Sequence, residues 1–130
     1  MTRYGDAIPY DAPGHVNVSA VRLQGLETSP SKHCWVGLSH YPPQGRADSA
    51  ASDVEKIYVV LSGEITVITD SGEATLSALD SCYLAAGERR AVINRAESPA
   101  SILVIMGTAP LRPTAPLRPH DKTSNTRQGD

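Results

Sequence analysis

The chain has 130 residues, of which 40% are hydrophobic and 20% are charged, and its formal net charge is -2. This size fits one globular domain and leaves no room for a second one of ordinary length. The pI near 6.0 gives no basic footprint for DNA or RNA, so we expect no nucleic-acid partner.

Hydropathy and cysteine content indicate the cellular compartment in which the protein is expected to be found. No stretch approaches the roughly 20 apolar residues that cross a bilayer, and residues 1–13 contain no apolar run typical of an export signal. We therefore expect no membrane partner and a cytoplasmic location. The two cysteines, Cys34 and Cys82, are expected to be free thiols in such a reducing compartment.

Composition divides the chain into an irregular N-terminal arm at 1–14, a strand-rich body at 15–108 and a Pro-rich tail at 109–130. The tail carries a tandem six-residue repeat at 109–114 and 115–120, and proline at this density favours extended polyproline II. The repeat is compatible with a solvated tail or with an arm that clasps a second subunit. Residues 122–130 are polar and predicted to be disordered.

Apolar and β-branched segments predict short strands through the body. The first covers 16–23, and the second covers 34–41 and ends at two prolines, which cannot donate to a central ladder. A loop is predicted at 44–53. The strongest pattern lies at 56–69, where a Ser-Gly turn separates two β-branched runs. Further strand-length segments follow at 73–79, 81–84, 91–93 and 100–105.

The spacing of these segments indicates the fold class. Turn signals recur about every 8–12 residues, which is typical of an all-β sandwich or a closed antiparallel barrel with almost no helix. Closure removes exposed strand edges and encloses a pocket at the barrel mouth.

Residues 34–106 resemble the cupin superfamily, whose members are small antiparallel barrels. The segment 43–46, Pro-Gln-Gly-Arg, is similar to the entry of the first cupin motif, and 56–64 is similar to the strand of that motif, which ends in Gly63. The segment 80–94 is similar to the second motif, with Gly87 and Asn94. The resemblance implies an all-β chain with a single cupin-like antiparallel barrel of jelly-roll layout, flanked by the N-terminal arm and the Pro-rich tail.

The departures from the family pattern concern its metal ligands. Where cupins carry two His, a Glu and a last His, the resemblance places Ala50, Ser52, Lys56 and Arg90. Alanine has no donor atom, serine rarely binds transition metals, and protonated Lys and Arg repel a cation. We therefore expect the fold without the metal, and no cofactor.

The same register places two cations inside the barrel. Residues two apart on a strand share a face, so Lys56 and Tyr58 line one side of the interior and Arg90 and Asn94 line another. Buried cations need anionic partners. One possibility is that a protein carboxylate pairs with these cations or that they reach the solvent at the rim of the barrel. The other is that they bind a small anionic ligand, with Arg90 as a bidentate donor and Lys56 as a point charge.

This constellation predicts a metal-independent enzyme of lyase, decarboxylase or isomerase type that acts on a small carboxylate bound by Lys56 and Arg90, with Asn94 as a further binding residue. A lysine in an apolar pocket beside another cation has a lowered pKa and can serve as a base or an amine nucleophile. Tyr58 could donate to a developing enolate, and His40, if it points inward, could shuttle a proton. The alternative is a non-catalytic small-molecule binding or sensor protein that uses the same pocket.

A displaced metal site is a further possibility, built from His33, Cys34, His40 and Cys82. Scattered His and Cys residues on strands are more often packed or surface side chains. His15, in the N-terminal part of the chain, is expected to be exposed.

The strand that carries Lys56 is apolar on its other face as well, at Ile57, Val59 and Leu61. Both faces of such a strand need cover. The sequence therefore predicts a homodimer that packs through this sheet.

Overall fold

The computed structural model describes residues 1–107, which form eleven β-strands and one short 3-10 helix at Tyr4–Asp6. The strands are β1 Ile8–Tyr10, β2 His15–Val16, β3 Ser19–Gln24, β4 Cys34–Tyr41, β5 Arg46–Ala50, β6 Lys56–Ser62, β7 Glu64–Thr69, β8 Gly72–Ser77, β9 Ser81–Leu84, β10 Arg90–Ile93 and β11 Ala100–Gly107. The predicted Pro-rich tail lies outside the described residues.

Two antiparallel sheets close into the predicted jelly-roll barrel. The first has the strand order β1-β3-β4-β11-β6-β9, and the second has the order β2-β5-β10-β7-β8. Most strands that are adjacent in a sheet are far apart in sequence. In this way β5 and β10, which belong to the two motif regions, pair directly, with Ala50 opposite Arg90.

The core lies between the two sheets and is largely aliphatic, with Tyr41 and Tyr58 as its aromatic members. Its most deeply buried apolar side chains are Val60, Ile65, Val92 and Ile102, each at most 1% exposed. They come from β6, β7, β10 and β11, which lie in both sheets, so each sheet contributes side chains to the core.

The turn between β6 and β7 requires glycine. Gly63 has a φ of +77°, and a Cβ atom at this position would lie 2.4 Å from the carbonyl oxygen of Pro99. Glycine at this position therefore lets the start of β11 lie close against the β6–β7 turn, where the pairing of β6 with β11 ends.

Three segments differ from the sequence prediction. The N-terminal arm is not wholly irregular, since β1 pairs with β3. The strand predicted at 16–23 is interrupted at Asn17, whose φ is 58°, so β2 and β3 join different sheets. The loop predicted at 44–53 contains β5, whose polar sequence and largely exposed residues hide the usual strand pattern.

Within residues 1–107, no helix is long and apolar enough to span a membrane. Cys34 and Cys82 form no disulfide. The cytoplasmic location stays a prediction.

Candidate functional site

A cavity of about 660 Å³ lies inside the barrel, between the two sheets and the segment after β1. Its volume is within the range of about 300–1,000 Å³ that small-molecule sites occupy. The wall combines aromatic and aliphatic side chains with a few charged ones: Tyr10, Asp11, Ala12, Pro13, His15, Arg22, Trp35, Ser39, Tyr41, Ala50, Ala51, Ser52, Asp53, Lys56, Tyr58, Arg90, Ile102, Val104 and Met106.

The four positions that correspond to the cupin metal ligands converge on this cavity. Ala50, Ser52, Lys56 and Arg90 all line it. Their side chains do not fit a divalent metal, because two are cationic and one has no donor atom. Among residues 1–107, no group of three or more His, Cys, Asp or Glu side chains is placed to hold a metal ion elsewhere.

Arg90 is held rigidly in the cavity wall and is only 7% exposed. Its Nε donates to the hydroxyl oxygen of Tyr58 at 2.8 Å, and its Nη1 donates to the backbone carbonyl of Asp48 at 3.1 Å. Both acceptors are neutral, so they orient the guanidinium without cancelling its charge. Burial raises the pKa of Tyr58, with Arg90 opposing the rise, and this keeps Tyr58 a neutral phenol.

Lys56 is the second cation of the cavity and is half-buried. Burial, and then the nearby charge of Arg90, lower the pKa of Lys56 to about 8. Within the described residues, Lys56 has no ion pair. The amine is therefore mostly protonated at pH 7 and lacks a protein carboxylate that neutralises it.

His15 is a site residue that the sequence analysis missed. Instead of being exposed, it is half-buried and lines the cavity, because β2 pairs with β5. Its Nδ1 donates to the carbonyl of Pro13 at 3.0 Å, which leaves Nε2 as the basic nitrogen of the neutral ring. Burial lowers the pKa of His15, and the charges of Arg90 and Lys56 lower it further.

His40 lies outside the cavity. It falls between the buried residues Ser39 and Tyr41 on β4, so the alternation of the strand turns it to the outer face. There its Nδ1 lies 2.9 Å from Oγ of Ser101 and its Nε2 lies 3.0 Å from the hydroxyl of Tyr4. The condition for a proton shuttle, an inward side chain, is not met.

Asn94 also lies away from the cavity wall, although it is fully buried. Its Nδ2 donates to the carbonyls of Tyr41 and Ser98, at 2.9 and 2.8 Å, and its Oδ1 accepts the backbone N–H of Ala96 at 2.9 Å. These three hydrogen bonds fix the turn before β11. Asn94 is therefore a structural residue rather than a ligand-binding one.

The residues of the possible displaced metal site do not meet. Cys34 is exposed at the start of β4, whereas Cys82 lies on β9 opposite Tyr58. Burial raises the pKa of the Cys82 thiol, which makes it a poorer nucleophile at neutral pH.

Aromatic side chains form the other end of the cavity. The guanidinium of Arg22 lies 4.2 Å from the ring centroid of Tyr10 and 4.4 Å from that of Trp35, and its Nε lies 3.2 Å from Oε1 of Glu27. Cation–π stacking of this kind ties the N-terminal strand to the barrel. Asp11 and Asp53 add two exposed carboxylates to the cavity wall.

Solved structures share this architecture. A polyketide cyclase from Streptomyces resistomycificus superposes with a TM-score of 0.74 at 14% identity, covering 98% of this chain and 93% of that one. A predicted oxalate decarboxylase from Thermotoga maritima gives 0.71 at 19% identity, covering 82% and 97%. A cupin sugar phosphate isomerase from Silicibacter pomeroyi gives 0.68 at 21% identity, covering 85% and 76%. At these identities the likeness concerns the fold alone.

Sequence comparison gives a nearer relative. A protein of Mycobacterium tuberculosis named beta-D-galactosidase is 46% identical over 104 residues, which are 80% of this chain and 90% of that protein. Residues 37–106 match the family described as Cupin domain, and this range holds both motif segments and all four positions that converge on the cavity, Ala50, Ser52, Lys56 and Arg90. By its sequence, its jelly-roll barrel and the place of its cavity, the chain belongs to the cupin family.

Proposed function

We propose that the chain is an enzyme that hydrolyses β-D-galactosides in the barrel cavity. The observation that carries this proposal is the 46% identity, over 80% of the chain, to a protein named beta-D-galactosidase. The cavity is compatible with a sugar. Tyr10 and Trp35 add aromatic surface to the wall beside Arg22, and the polar residues of the wall offer donors and acceptors for the hydroxyl groups of a sugar.

Glycoside hydrolysis needs a group that protonates the leaving oxygen and a second group that attacks the sugar or activates a water, and two carboxyl groups usually fill these roles. Asp11 and Asp53 are the carboxylates of the cavity wall, and we assign the two roles to this pair. His15, neutral and with a basic Nε2, stands in the same wall and can accept a proton from the attacking water.

The catalytic pair is tested by replacing each carboxylate with its amide. We expect Asp11→Asn and Asp53→Asn each to lower kcat/KM for 4-nitrophenyl β-D-galactopyranoside by about 100-fold or more, because loss of a positioned acid or base costs roughly that factor. Asp70→Asn is the matched control, since Asp70 is an exposed carboxylate in the turn between β7 and β8. Unchanged rates in both cavity variants would show that the carboxyl roles are wrongly assigned.

A second candidate function follows from the two cations. Lys56 and Arg90 without a carboxylate partner suit a metal-independent lyase, decarboxylase or isomerase that acts on a small carboxylate, since such reactions develop negative charge that Lys56, Arg90 and the Tyr58 hydroxyl would stabilise. Its test is borohydride trapping in the presence of a small keto acid, which would reduce an imine and add mass at Lys56. Absence of labelling would remove the imine form, and ligand binding without turnover would identify a binding protein.

A further inference from the structure

The charge of the cavity is unusual for a site that cleaves a neutral galactoside. Arg90 is almost fully buried, and its side chain donates hydrogen bonds to two neutral oxygens, the Tyr58 hydroxyl and the Asp48 carbonyl. Lys56 also lines the cavity, and after burial it is the charge of Arg90 that lowers the pKa of Lys56, as expected for two cations that repel each other. The inner part of the cavity therefore holds two positive charges close together.

Two such charges oppose the expected reaction. The transition state of glycoside hydrolysis resembles an oxocarbenium ion, so the sugar becomes more positive as the bond breaks. Fixed cations in a poorly solvated cavity raise the energy of that state, because the repulsion is only weakly screened there. An anionic group on the substrate would remove this penalty and would also supply the anionic partner that the buried Arg90 and the half-buried Lys56 lack.

We infer that the ligand is an acidic β-galactoside whose carboxylate lies between Lys56 and Arg90, an inference that rests on the proposed function. The guanidinium of Arg90 is already oriented by Tyr58 and Asp48, so it binds a carboxylate with little further ordering. The anion subsite thus lies where other cupins bind a metal ion, at Ala50, Ser52, Lys56 and Arg90. The acidic group of the substrate takes the place of the metal.

Matched pairs of probes test this assignment with the full chain. Lactobionate and lactose both contain a terminal β-galactoside, but only lactobionate carries a carboxylate, on the neighbouring unit. Galacturonate and galactose form the second pair, with the carboxylate on the galactose ring itself. Calorimetry measures the binding of all four, and galactose release is measured for lactobionate and lactose.

We expect at least one acid to bind about tenfold or more tightly than its neutral partner, since hydrogen bonds to charged groups are among the stronger ones. Lys56→Met should remove most of this preference. Arg89→Met is the control, because it deletes the same charge from an exposed neighbouring position outside the cavity wall, and it should leave the preference unchanged.

The possible results separate the two claims. Equal binding of acids and neutral sugars, or a preference that survives Lys56→Met, overturns the anion subsite, while hydrolysis of lactose would leave the proposed function standing. Tight, Lys56-dependent binding of an acid without any release of galactose overturns the proposed function and the galactoside part of the inference. Preference within the lactobionate pair or the galacturonate pair tells which sugar unit carries the carboxylate.

Discussion

Lys56 is costly to bury in its charged form, and this cost is measurable. In the unfolded chain its pKa returns to the ordinary value of 10.5, whereas in the folded chain it is about 8. Between these values the unfolded state binds more protons, so this residue makes stability rise as pH increases from about 8 to 10.5. Below pH 8 the full penalty applies.

We expect Lys56→Met to raise the melting temperature at pH 7. Because Lys56 is only half-buried, solvent screening leaves a penalty on the order of 1 kcal/mol, or about 3–5 °C for a domain of this size. The gain over wild type should shrink as pH rises from 8 toward 10.5, and calorimetry at several pH values measures it. A gain that does not depend on pH would assign the effect to packing rather than to charge.

The sequence predicted the direction of individual side chains where a family motif fixes the strand register, and it did not do so elsewhere. The inward direction of Lys56, Tyr58 and Arg90 follows from the alternation of two well-patterned strands. His15 could not be placed, because its two-residue strand has no pattern and its position depends on pairing with β5. The direction of the His40 side chain could not be predicted, because a shift of one residue along the strand moves a side chain from the inner to the outer face.

At the scale of elements, strands with β-branched runs were predictable and polar ones were not. β4, β6, β7 and β11 lie where the apolar patterns placed them. β5 consists of Arg-Ala-Asp-Ser-Ala, and only its pairing with β2 and β10 makes it a strand. β1 was hidden for a similar reason, since three residues with a central proline do not form a strand pattern by themselves.

The β6–β7 turn gives a direct test of how the elements are held in register. We expect Gly63→Ala to destabilise the fold by about 3 kcal/mol or more, because a positive φ and a backbone clash combine there. Gly5→Ala is the control, since a Cβ atom at Gly5 meets nothing within 4 Å. Urea unfolding compares the two, and an equal midpoint for both variants would contradict the role given to this turn.

At the scale of the whole molecule, the outer face of β6 and β9 is apolar and open. Ile57 is 40% exposed, Leu61 43% and Tyr83 59%, and Ile57 and Tyr83 are neighbours across the two strands. A second copy of the chain would cover this face. We propose that the protein forms a homodimer through this face.

We expect light scattering to give twice the chain mass of 13.8 kDa at micromolar concentration. Ile57→Glu should shift the protein toward the monomer, because it places a charge in the apolar face. Val16→Glu is the control, as Val16 is 39% exposed, about as much as Ile57, but lies on β2 in the other sheet. A wild-type monomer would contradict the predicted homodimer.

We propose that this cupin barrel works through charged side chains at the positions of the family's metal ligands. The most direct test is the release of galactose from lactose and lactobionate by the purified full chain after exhaustive treatment with a chelator, with metal content determined in the same sample. We predict release at the rate of untreated protein, with far less than one metal ion per chain. No release from either sugar, or release that returns only when a metal ion is added back, would contradict it.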